Sequence, residues 1–281
     1  MGAQVYLVLC GLIMVVCGLV CVATVRERYY AKLVAGKQQK ISIKETLWQT
    51  LRCKPFRIQL SMQLAYNMGL SMVSTLGLSA TFYYVCKGNT SEGNWWNFWM
   101  GVMGMVLGFL GIPVFALVAR KLGKSRAMMV VLGTAILVFV ATWWLYTPKI
   151  VWLQIFASGL IAFTAAGFYT IIGSIGADVM DYDELENGRR REGSFSACGS
   201  WINKVGMASG AGISFFILDW VGFDSKVSQQ SDHVIFMIRF LLAAIPIVGL
   251  TIAMIAFSRF PLNQEKMAEI RASLEARRGK V

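Results

Sequence analysis

Polar and apolar positions segregate along this chain into blocks. Seven stretches, about 5–25, 60–85, 96–119, 127–147, 151–177, 197–221 and 236–257, are apolar and carry few or no formal charges. At 1.5 Å of rise per residue, a helix of each length crosses a hydrocarbon core of about 30 Å, some with tilt. The pattern predicts an all-α membrane protein with seven transmembrane helices. The second block places Gln59, Gln63, Asn67, Ser71 and Thr75 at intervals of four, a polar stripe on an otherwise apolar helix. Such a stripe either joins helices through hydrogen bonds or lines a water-filled path. In the third block, Gly101, Gly104, Gly108 and Gly111 precede Pro113 and predict a small-residue packing face. The C-terminal stretch after Pro261 reads as a short amphipathic helix with charge pairs four residues apart.

Composition narrows the class. Of 281 residues, 56% are hydrophobic and 15% charged, and the mean hydropathy is +0.57. Soluble domains carry about 25% charged residues. A secreted disulfide scaffold, a soluble enzyme and a nucleic-acid-binding module are excluded. The six cysteines form no CxxC pair or regular spacing, so no disulfide framework, metal site or cofactor is expected.

The net charge of +12 is explained by its placement. The connections between blocks carry nine, one, four, one, three and one Lys or Arg in turn, and the C-terminal tail carries six. High and low counts alternate, so the positive-inside rule puts the high ones in the cytoplasm, on an anionic bilayer surface. Nucleic acid is not needed as a partner. Trp95, Trp96, Trp99, Trp143, Trp144, Trp152 and Trp220 then fall at the outer interface. The expected location is the plasma (inner) membrane, with the N-terminus outside and the C-terminus cytoplasmic. The expected divisions are a first helix over 1–25, a basic central linker over 26–59, a six-helix unit over 60–258 and a tail over 259–281. An odd helix count and an abrupt apolar start suggest the rear part of something longer.

Two features carry candidate chemistry. Over 177–193, Asp178, Asp181, Asp183, Glu184, Glu186 and Glu192 intermix with Arg189, Arg190 and Arg191 at a cytoplasmic helix end. An EF-hand is excluded, because the fifth and sixth positions from Asp181 are Leu185 and Glu186. The stretch is either a solvated mixed-charge loop or a set of ion pairs that gates the cytoplasmic side. Lys204 lies inside the sixth block, where an ammonium costs roughly 2.5–3.5 kcal/mol unless it finds a partner or water. It either snorkels to the headgroups or faces a polar cavity. His233, the only histidine, reads as an interfacial side chain.

These residues resemble the glycoside–pentoside–hexuronide:cation symporters, the melibiose-carrier-like branch of the major facilitator superfamily. ADVMDYDELENGRRREGSFSA is similar to the family's signature after its tenth helix, and the Lys204 segment to its eleventh. ALVARKLGKSRAM resembles the basic loop between helices eight and nine, with Arg120, Lys121, Gly123, Lys124 and Arg126 in place. That loop lacks the family's aspartate, so a weaker charge-pair role is expected. The resemblance covers the whole chain as helices six to twelve. It implies alternating-access symport of a sugar or glycoside with H⁺, Na⁺ or Li⁺. It also implies substrate contacts at Lys204 and Tyr169, to which the polar stripe adds Gln63 and Asn67. The family's acidic cation site lies in an N-terminal half, the missing partner of this chain. An accessory membrane subunit and a seven-helix receptor are the competing classes. No nucleophile–base pair or metal-ligand cluster points to an enzyme.

Overall fold

A computed structural model describes residues 2–24, 43–188, 191–225, 227 and 229–278. All regular structure among the described residues is helical. The chain divides into two units, Met1–Glu45 and Thr46–Val281. The first contains α1 (Gly2–Thr24), whose Leu7–Thr24 portion is long and apolar enough to cross a membrane and buries nothing within the unit. An all-round apolar helix of this kind suits an apolar surrounding on every side, as in a membrane span.

In the second unit α2 (Ile43–Arg52, entering from the boundary) leads into α3 (Lys54–Ser79), which continues as a π-helical stretch over Ala80–Val85. Then come α4 (Thr90–Leu122), α5 (Lys124–Leu145), α6 (Leu153–Asn187), α7 (Glu192–Val221), α8 (Asp232–Ser258) and α9 (Gln264–Arg278). Local chemistry sets the ends. Pro55 sits in the first turn of α3, where its missing N–H costs nothing, so α3 begins before the apolar block does. Asn89 caps α4 by accepting from Glu92 N at 3.2 Å. Gly123 and Gly188, at φ +82° and +68°, end α4 and α6 in backbone conformations that favour glycine.

The charged stretch expected as a helix end is itself helical. α6 runs 35 residues to Asn187, about 52 Å, so its acidic turns project past a hydrocarbon core of about 30 Å. A helix leaving the bilayer has no reason to stop at the boundary, because water tolerates its carboxylates.

The helices pack as pairs: α4 on α6, α3 between α7 and α8, and α5 between α6 and α8. Close approach is built from small residues, as expected where lipid tails supply no hydrophobic driving force. Gly104 and Gly108 of α4 face Ala162, and a Cβ on Gly111 would lie 2.5 Å from the Phe163 carbonyl oxygen. Gly101, expected in the same face, meets nothing and lies outside the contact. On α7, a Cβ at Gly210 would lie 2.6 Å from the Met68 carbonyl oxygen, and one at Gly206 would lie 3.0 Å from Asn67 Cβ. Met62, Leu76, Met128, Leu132, Phe168 and Ile175 form the middle of the bundle.

The described chain has five helices long and apolar enough to span a membrane: α1, α4, α5, α6 and α8. The other two long helices, α3 and α7, are the more polar ones. α9 forms as expected and lays Met267, Ile270 and Leu274 inward, in contact with α6.

Candidate functional site

The structure brings two of the sequence candidates together. Tyr169 Oη of α6 donates to Asn67 Oδ1 of α3 at 2.8 Å. Asn67 is 1% exposed and Tyr169 is 43% exposed, so the pair reaches from the bundle interior to its open surface. Behind it, the buried Tyr66 and Phe168 rings stack at 3.5 Å between centroids, and Tyr169 meets Tyr66 edge-on at 6.2 Å. Asn67 Nδ2 is buried and has no hydrogen-bond partner among the described residues. Leaving such a donor unmade costs about 1–3 kcal/mol, which a ligand acceptor would recover. The Tyr66–Phe168 stack was not singled out from sequence, since neither residue breaks the apolar pattern.

The rest of the polar stripe serves several purposes. Ser71 Oγ donates to Met207 O of α7 at 2.7 Å, a bond that joins helices. Gln59 is buried against α6 near Gly176, with its Oε1 unpartnered. Gln63, half-buried one turn before Asn67, makes no hydrogen bond among the described residues. Ser79 Oγ bonds back to Thr75 O within α3.

Lys204 is exposed and has no ion-pair or hydrogen-bond partner among the described residues. It lies two positions from Gly206, whose backbone abuts α3, and positions two apart point to opposite sides of a helix. Lys204 therefore stands on the face of α7 turned away from α3, with exposed Trp201 and Ala208 beside it. The structure does not bring it to the Asn67–Tyr169 pair. Its neighbour Asn203 has a buried Oδ1 with no partner among the described residues.

The charged stretch resolves into two separate clusters. In one, Asp183, 2% exposed, receives Arg191 Nε at 2.9 Å on Oδ2 and Arg191 Nη2 on Oδ1. Asn187 Nδ2 also donates to Oδ1 at 2.9 Å, and Arg191 Nη1 donates to Gln49 Oε1 at 3.0 Å. Beside this pair, burial pushes the Cys53 thiol up to about 11. In the other, buried Asp178 holds Lys124 Nζ and Arg271 Nη2, each at 2.8 Å. α6 thus supplies the carboxylate that the basic loop lacks, and Lys124 is paired despite the missing aspartate.

Asp181 is half-buried without an ion pair among the described residues, Glu184 is half-buried, and Glu192 is exposed in the first turn of α7. Arg189 and Arg190 lie outside the described residues. Of the basic loop, Arg120, Lys121 and Arg126 are exposed. Arg239 of α8 sits 4.3 Å from the Tyr84 ring centroid and 4.4 Å from that of Trp143, whose carbonyl oxygen accepts from its Nη2 at 3.1 Å. No group of three metal-ligating side chains occurs among the described residues.

Long apolar helices with glycine-mediated crossings define a multi-pass α-helical membrane protein. Residues 1–264 match the MFS/sugar transport protein family, and the chain belongs to that family, a family of transporters rather than enzymes. It is similar to the glucuronide carrier protein homolog of Escherichia coli (25% identical; 74% of this chain, 45% of that protein). It is also similar to the isoprimeverose transporter of Lactiplantibacillus pentosus (26% identical; 81% and 46%). A third relative is the human sodium-dependent lysophosphatidylcholine symporter 1 (22% identical; 80% and 45%). The matches span a little under half the length of these relatives.

Proposed function

We propose that this chain forms the C-terminal part of a cation-coupled symporter for a sugar or glycoside. It would work by alternating access, with H⁺, Na⁺ or Li⁺ as the coupling ion. The observation that carries this reading is the Asn67–Tyr169 pair, a solvent-reaching phenol bonded to a buried amide whose N–H₂ lacks an acceptor among the described residues. A sugar hydroxyl accepts from Asn67 Nδ2, and the exposed Tyr169 ring offers an apolar face to a pyranose. Gln63, on the approach to this pair, is a further substrate contact.

In this reading all seven long helices cross the membrane, with α3 and α7 polar because they border the substrate path. The uncovered face of α7 then turns toward a complementary N-terminal half, across which Lys204 meets substrate or an acid. The arrangement follows the general rule that such transporters bind at the midplane between two halves. The divisions at 25, 59 and 258 separate the leading helix, linker, bundle and tail. The positive-inside count favours an outside N-terminus and a cytoplasmic C-terminus in the plasma membrane. The Asp183–Arg191 and Asp178–Lys124 pairs then sit at the cytoplasmic end, where they favour the inward-closed state. Asp181, Glu184, Glu192, Arg189 and Arg190 contribute charge to the same gate.

The test is uptake by cells co-expressing this chain with the N-terminal half of the isoprimeverose transporter. Radiolabelled glycosides are offered with and without a Na⁺ gradient. The expected result is saturable uptake that drops at least tenfold in Asn67→Leu and in Tyr169→Phe at unchanged membrane levels. Uptake indifferent to both substitutions refutes the site, and absence of uptake for every glycoside and cation refutes the reading.

A further inference from the structure

A cavity of about 490 Å³, lined by neither Asn67 nor Tyr169, lies between the C-terminal end of α4, the start of α5, the middle of α6 and α9. Its size falls within the range of about 300–1,000 Å³ typical of small-ligand sites. Its walls divide by chemistry. Ala116, Ile171 and Phe260 make an apolar side, while Arg120, Lys124 and Arg271 bring three cations to the other.

Asp178 is the only carboxylate in the lining among the described residues, and it is already held by both Lys124 and Arg271 at 2.8 Å. One carboxylate against two cations leaves a positive surplus. Arg120 adds a third charge and has no partner among the described residues. The uncapped first turn of α5, starting at Lys124, reaches the same space and adds its N–H groups and the positive end of its dipole.

We infer that this cavity binds a phosphate-type anion, with the phosphate on Arg120 and Arg271 and any attached carbon on the apolar wall. Basic pockets between transmembrane helices suit phospholipid headgroups, and bare inorganic phosphate offers the same charged group without the apolar part. A guanidinium fork matches phosphate oxygens, so both arginines contribute geometry as well as charge. Asp178 and Lys124, placed in the proposed gate, also line this site, but neither Asn67 nor Tyr169 does, and anion binding is tested without any transport readout.

The experiment uses the full chain in nanodiscs of phosphatidylcholine with a minority of phosphatidylglycerol. Retained lipid is read by native mass spectrometry, and thermal shift is read with inorganic phosphate alone. The variants are Arg120→Gln, which touches no ion pair, Ala119→Phe, which fills the cavity without changing charge, and Arg259→Gln, an exposed arginine outside it. Phosphatidylglycerol retained over phosphatidylcholine, reduced at least tenfold in the first two variants and unchanged in the third, supports a lipid headgroup. A stabilising shift with inorganic phosphate that Arg120→Gln abolishes, without lipid selectivity, supports the same site with free phosphate as its ligand. Equal loss in Arg259→Gln, full retention in Arg120→Gln, or response to neither anion overturns the proposal. Because Arg120 is exposed and unpaired, Arg120→Gln keeps the test decisive even if Ala119→Phe does not fold.

Discussion

Removing Arg191 tests how the bundle closes around its charges. Asp183 is 2% exposed, and the Arg191 side chain is 8% exposed, so both ends of this fork-like pair are withdrawn from water. Arg191→Ala strands a buried carboxylate with only the Asn187 amide as donor among the described residues. Breaking one side of a buried pair costs about 3–5 kcal/mol, because the remaining charge is left uncompensated. For a chain of 150–250 residues, 1 kcal/mol moves Tm by about 2–4 °C, so the expected loss is about 6–20 °C. Arg271→Ala is the internal comparison. Its side chain is 54% exposed, and Lys124 remains on Asp178 after its removal, so the loss is about 0–1 kcal/mol and at most about 4 °C. Replacing both members, Asp183→Leu with Arg191→Met, removes the stranded charge and recovers most of the loss. Thermal unfolding of the purified proteins in one detergent, followed by tryptophan fluorescence, measures all three. Arg191→Ala within about 2 °C of the parent, or a double variant no better than the single, would refute the claim that this pair is buried and coupled.

Gly210→Ala should force α7 off α3 and break the Ser71–Met207 bond, lowering Tm by several degrees, while Gly212→Ala, which meets nothing within 4 Å, should leave Tm unchanged. The Cys53 thiol, raised to about 11 by burial, should resist maleimide at neutral pH. Its labelling rate should rise about tenfold per pH unit up to about pH 10, and fast labelling at pH 7 would contradict its burial. In a variant whose six native cysteines are replaced by serine, Asn89→Cys should label from outside cells and Gly188→Cys should not; the reverse pattern would invert the proposed orientation. Lys204→Ala should abolish uptake in the co-expression assay and Lys204→Arg should restore little of it, whereas free replacement by Arg would make Lys204 a headgroup anchor.

Much of the fold was legible because lipid imposes one rule on every spanning segment, a long apolar run. The boundaries failed where that rule stops applying, as in the charged turns of α6 through Asn187 and in the first turn of α3 at Pro55. The site was legible only in part. Asn67 and Tyr169 each drew attention, but they lie 102 residues apart, and nothing in one sequence pairs them. Nor does a four-residue interval run straight along a helix. With 3.6 residues per turn, each step drifts about 40°, so the stripe from Gln59 to Thr75 winds through about 160°. That drift turns Gln59 toward α6, leaves Asn67 for Tyr169 and delivers Ser71 to α7. Hydrogen bonding between helices, which Ser71 and Asn67 show, therefore does not exclude the path lining proposed for Gln63, because different residues of one stripe face different ways.

The same drift bears on α3 and α7, the two long helices too polar to pass as membrane spans by composition. Several polar side chains of α3 turn to neighbouring helices. Ser71 is spent on α7, Asn67 on α6, and Gln59 lies buried against α6. Gly206 and Gly210 let the α7 backbone close over α3, so that Leu64 and Met68 carbonyls face glycine instead of hydrocarbon. A helix can carry this much polarity through a bilayer when its neighbours, and not the lipid, receive it. Substituting Leu at Gln59 or Asn67 would make α3 a better span by composition, while removing the buried amides from which a hydroxyl-bearing substrate could gain most. Under the proposed transport reading, low apolarity in these two helices is what a substrate path would demand, and it makes them the place to look for specificity.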